Sequence, residues 1–136
     1  MNENCDACSF SLELLYQKEE ECLKKYGWYT HFISNDPTCP FNVNFHSHGF
    51  GYKFHPDVQI CAPAPQDVLH KIMNIVYGEI EKGVKFLPGK RYSNVLTDLD
   101  VTFIEINENL LRIILPDLNN NLDKDKISGF LKKQYD

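Results

Sequence analysis

Two apolar runs, DVTFIEI at residues 100–106 and LLRIILP at 110–116, flank a short polar break, Asn107-Glu108-Asn109. Both are rich in β-branched and aromatic residues, which fit a pleated surface. A break that short between two such runs predicts a hairpin. Each run is apolar on both faces: Val101 and Phe103 against Ile104 and Ile106, then Leu110 and Ile114 against Leu111, Ile113 and Leu115. A strand apolar on both faces belongs inside a covered sheet, so both are expected to be central strands.

The rest of the chain supplies partners for that hairpin. Residues 9–26 carry Leu12, Leu15, Tyr16, Cys22, Leu23 and Tyr26 on one helical face, and Gly27 stands where a helix often stops. WYTHFIS at 28–34 reads as a strand, closed by the Asp36-Pro37 and Cys39-Pro40 steps. A second strand spans 41–48, ended by Gly49 and Gly51, and a third spans 57–62. Pro63 and Pro65 open a second helix with Leu69, Ile72, Met73, Val76 and Ile80 as its stripe. Residues 84–96 hold a Pro88-Gly89 turn and room for a sixth strand, and a short helix is expected over 127–133.

The 136 residues make one α+β domain, residues 1–136. Short connections between successive strands favour antiparallel neighbours. The expectation is a mostly antiparallel sheet of about five or six strands, two main helices packed on one face, and a short C-terminal helix.

A formal net charge of -5 with scattered basic pairs excludes a nucleic-acid footprint. No apolar run approaches the ~20 residues of a membrane span, and residues 1–10 lack signal-peptide features. Cytoplasmic location is the expectation, and a reducing compartment suits the odd count of five cysteines.

The chemistry-bearing stretch is NFHSHGFGYKFHP, residues 44–56. The period of two sends Asn44, His46 and His48 to one side, and Val43, Phe45 and Ser47 to the other. Imidazoles two apart on a strand stand roughly 6–7 Å apart at Cα. His55 can return across the glycine turn to join them. Three neutral imidazoles can hold zinc or another divalent transition metal and leave a position for water. In that reading Asp57 or Glu105 is the candidate base. The opposing reading is a polar, solvent-facing strand surface, since short histidine patterns arise often by chance.

Cys5 and Cys8 form a CxxC that offers two metal ligands or a redox dithiol, but a structural zinc site needs four ligands and no second CxxC is present. His31, mid-strand between aromatics, reads as a hydrogen-bonded sheet residue, and His70 as a solvated one.

The motif order resembles a bacterial domain-of-unknown-function family, DUF4262. The matching pieces are CDAC, KKYGWYTHFIS, FNVNFHSHGF, HPDVQI, APAPQDVLHKIMNIV, EKGVKFLPGKRYS and LRIILPDLNNN, running from Cys5 to Asn121. The resemblance implies an α+β fold and no particular activity. It implies that Trp28, Gly49, His55, Pro56, Gly83, Phe86, Gly89 and Arg91 serve a shared fold or site, and that His46 and His48 mark a subgroup. The leading functional expectation is a non-catalytic accessory domain. It would bind a small molecule or a protein through Asn44, His46, His48, His55 and Arg91. The alternative is a metal-dependent hydrolase with ligands His46, His48 and His55. An uncovered sheet edge or apolar patch would favour a homodimer.

Overall fold

The computed structural model describes residues 12–136. Cys5 and Cys8 lie outside the described residues. Helix α1 spans Leu12–Tyr26 and stops where Gly27 takes φ +80° and returns its N–H to the Leu23 carbonyl. Strand β1 is Tyr29–Ile33, β2 is Asn44–His48 and β3 is Asp57–Ile60, with one-turn 3-10 helices at Pro40–Asn42 and Phe50–Lys53 between them. Helix α2 spans Gln66–Glu81, β4 is Thr102–Asn107, β5 is Leu110–Ile114, and a 3-10 helix, Gly129–Tyr135, closes the chain.

The sheet has five strands in the order β1-β2-β3-β5-β4. All pairs are antiparallel except β3 with β5, where α2 provides the crossover that parallel pairing requires. The 84–96 segment adds no strand; it touches the sheet through an isolated bridge between Tyr92 and Val101. The 110–116 run is central as expected, whereas β4 is an edge strand. Its apolar character is used only in its first half: Thr102 and Phe103 are buried, while Glu105 and Ile106 are exposed beside a bulge.

One face of the sheet packs on α2. Phe45, Ile60 and Ile113 point there with Leu69, Met73 and Val76 from the helix, all with no exposed surface. Each such side chain contributes roughly 1.5–3 kcal/mol by leaving water. On the other face Ile114 gathers Leu122 and Ile127 into a second apolar cluster under the C-terminal segment. That segment is a 3-10 helix rather than an α-helix, fixed by the Gln134 side chain, which bonds Leu115 N–H and the Leu115 carbonyl.

Helix α2 packs on the Phe45 side, while α1 sends Glu19 to His31, which pairs with His46 on the reverse side. Among the described residues no helix is long and apolar enough to cross a membrane.

Candidate metal centre

Alternation in β2 places Phe45 and Ser47 in the interior and leaves His46 and His48 on the opposite face, half-buried. The antiparallel register sets His31 of β1 directly across from His46 and Tyr29 across from His48. Directly opposed residues in such a pair have Cβ atoms about 5 Å apart, so three imidazoles meet on one patch. His48 Nε2 lies 3.1 Å from His46 Nε2 and 3.1 Å from His31 Nδ1. One ring nitrogen from each histidine lies within 4.8 Å of the others. Tyr29 stacks on His48 with ring centroids 5.0 Å apart.

The proton positions follow from the surrounding network. Arg112 can only donate, and its Nε reaches Gln59 Oε1 at 2.9 Å. Gln59 therefore turns Nε2 toward Asn44 and donates to its Oδ1 at 2.9 Å. Asn44 Nδ2 in turn donates to Asp36 Oδ2. His46 Nδ1 faces that same Asn44 Oδ1 at 2.9 Å, so Nδ1 must carry the proton and Nε2 presents a lone pair. On the other side His31 Nε2–H donates to the Glu19 carboxylate, which can only accept, so the neutral His31 ring presents a lone pair at Nδ1. Both lone pairs aim at His48 Nε2, whose single proton can satisfy only one. With all three rings neutral, three nitrogens thus meet with at most one proton among them.

His46 and His48 do not readily take up a further proton. Burial, and then the neighbouring His48 and His31, lower the His46 pKa to about 4. Burial and His31 lower that of His48. Neutral imidazole is the ligating form. Four ligands at the ~2.05 Å of a zinc–imidazole bond stand about 3.3 Å apart along a tetrahedral edge, close to the two 3.1 Å separations. The arrangement behind the ligands also fits: a metal-binding histidine ordinarily donates its other N–H to a carboxylate or carbonyl, as His31 does to Glu19 and His46 to Asn44.

The other residues singled out from the sequence stand elsewhere. His55 does not join the cluster. Its Nδ1–H donates to the Pro56 carbonyl at 2.7 Å and its Nε2 accepts from Phe86 N–H at 3.1 Å, beside the Phe50 and Phe86 rings. The 3-10 turn between β2 and β3 ends with Phe54 in the left-handed region, φ +58°, and delivers His55 to the core side. Asp57 accepts from Ser47 Oγ and Phe50 N–H, holding the turn closed. Glu105 is exposed on β4, three strand spacings from β2, or roughly 14 Å. Arg91 is exposed and tied to Asp100 and the Asn120 carbonyl. Cys61, near the network, stays a thiol: burial first pushes its pKa up to about 12.

Sequence reasoning missed His31 and Glu19. The signal for His31 was present in the WYTHFIS alternation, which puts Tyr29 and His31 on one side, but register is needed to bring that side onto His46. Trp28 and Gly49 prove to be packing residues. A Cβ on Gly49 would meet the Gly27 carbonyl at 2.5 Å, and the Trp28 ring lies against Phe50 and Tyr77.

Comparison with curated proteins and with solved structures found no match. A family model described as a domain of unknown function, DUF4262, matches residues 22–121, which include all five strands and the three clustered histidines. The chain belongs to the DUF4262 family.

Proposed function

We propose that this domain binds one divalent transition-metal ion, zinc in the first instance, through His31 Nδ1, His46 Nε2 and His48 Nε2. The observation that carries the reading is the meeting of three ring nitrogens with two 3.1 Å separations. A cation is the natural occupant of converging lone pairs. Imidazole ligands select zinc, copper, nickel or iron over magnesium and calcium, which prefer oxygen. Two carboxylates stand behind the ligands, Glu19 on His31 and Asp36 on Asn44, and offset the ion's charge.

The role is binding, with the metal's remaining coordination position as the place for water or a small donor ligand. Neither candidate base supports a hydrolase: Asp57 is engaged in the turn and Glu105 lies on the far edge strand. A reducing compartment such as the cytoplasm suits the thiols.

The test is calorimetric titration of chelator-treated protein with Zn²⁺. One site per chain is expected, absent from a His46→Ala/His48→Ala variant that keeps its secondary structure. Equal binding by that variant, or none by the native chain, overturns the proposal.

A further inference from the structure

His31 faces two ways. Its Nδ1 belongs to the histidine cluster and its Nε2 bonds Glu19, a residue of α1. A single ring therefore links the sheet site to a helix. Among the described side chains of that helix none is fully buried, and Leu14, Tyr16 and Tyr26 are 45%, 59% and 57% exposed. Glu19, by contrast, has a side chain only 18% exposed, turned toward the sheet. A charge-assisted hydrogen bond to a mostly buried carboxylate contributes to docking the element that carries it.

We propose, resting on the metal reading above, that α1 is a metal-responsive element whose docking is coupled to the ion through Glu19 and His31. The physical chemistry is direct. An ion on Nδ1 draws electron density from the ring and makes Nε2–H a stronger donor to the carboxylate. The carboxylate in turn raises the basicity of the ligating nitrogen. These are two descriptions of one coupling free energy, so they must be equal in size. Whatever factor Glu19 adds to metal affinity, the metal adds to the docked population of α1. Glu19 is a positioning residue here, since it reaches the ion only through His31.

The experiment uses the full chain, with Zn²⁺ as the probe and two readouts. Hydrogen exchange followed by mass spectrometry reports opening of the α1 peptide, with β5 amides as internal reference. Calorimetry reports Zn²⁺ affinity. Carboxylates in this position typically contribute ~10–100-fold to metal affinity. Glu19→Gln is therefore expected to weaken Zn²⁺ binding by about that factor. In the native chain, Zn²⁺ is expected to slow α1 exchange by up to the same factor beyond whatever slowing β5 shows. In Glu19→Gln that excess slowing is expected to vanish. The exposed neighbour Glu20→Gln controls for loss of charge on the helix and is expected to behave as native. Zn²⁺ binding with no slowing of α1 exchange beyond that of β5 overturns the coupling and leaves the metal site standing, as does undiminished affinity in Glu19→Gln. No Zn²⁺ binding by the native chain overturns both readings.

Discussion

His48 Nε2 lies 3.1 Å from His31 Nδ1, although the two residues are 17 apart in sequence. The contact exists because β1 and β2 pair with His31 opposite His46, one step along the same face from His48. Removing either histidine therefore removes one ligand and leaves the pairing of the strands intact. Single His31→Ala and His48→Ala variants are expected to retain the native circular dichroism spectrum and lose zinc binding. The His31 change also frees Glu19, so it is expected to loosen α1 as well, which exchange at that helix would show.

Asn44 holds His46 in one tautomer by accepting from Nδ1–H while its own amide is fixed by Gln59 and Asp36. Long-range nitrogen–proton NMR on metal-free protein should find His46 protonated on Nδ1. Asn44→Ala is expected to mix the tautomers and weaken zinc affinity ~10–100-fold.

The buried His55 bears on stability rather than on the metal. Burial, foremost, lowers its pKa from 6.5. A histidine whose folded pKa is depressed contributes stability that is present above the unfolded value and lost as pH falls through the folded one. Unfolding free energy should thus decline in acid from pH 6.5 downward, and His55→Leu should flatten this dependence. The same change strands the Phe86 N–H without an acceptor and is expected to cost about 1–3 kcal/mol at neutral pH, measured by urea denaturation.

Gly49 and Gly51 sit two residues apart and predict opposite outcomes. At φ +111°, with the Gly27 carbonyl 2.5 Å from a would-be Cβ, Gly49→Ala is expected to destabilise by at least ~1–3 kcal/mol. Gly51 has no atom within 4 Å of that position, so Gly51→Ala is expected to stay within about 0.5 kcal/mol of native. Paired melting curves decide it.

Asp117 organises the loop after β5. Its carboxylate accepts from the N–H groups of Asn119, Asn121 and Ser128. These bonds, that from Asn121 first, hold its pKa at about 2, below the ordinary 3.8. The stabilisation is complete above pH 3.8 and disappears as pH falls through about 2. Asp117→Asn is expected to be less stable at neutral pH and to show a shallower acid limb.

Much of this was legible in the chain, and the residues show where legibility stopped. Period-two alternation placed His46 and His48 together and Phe45 inside, because the pleat leaves no other choice. The apolar stripe of α2, from Leu69 to Ile80, is buried as its spacing requires. Alternation says which side of its own strand a residue takes, but not which strand lies beside it, so His31 remained a sheet residue. The azimuth of α1 on the sheet is likewise unreadable from its periodicity, which hid Glu19. His55 was misplaced because seven residues of spacing carry no information on turn handedness, and a left-handed Phe54 decides that.

Gln59 and Arg112 come from strands 53 residues apart in sequence, brought side by side by the parallel β3–β5 pairing. Closing that span is among the costlier steps in assembling the sheet. A growing chain that has emerged through β3 already contains all three imidazoles but has nothing to brace Gln59, and hence nothing to orient Asn44 behind His46. Competence for the ion is therefore a late property of the polypeptide, acquired only when β5 slots in. Nascent or truncated chains ending before residue 110 should capture metal poorly despite carrying every ligand.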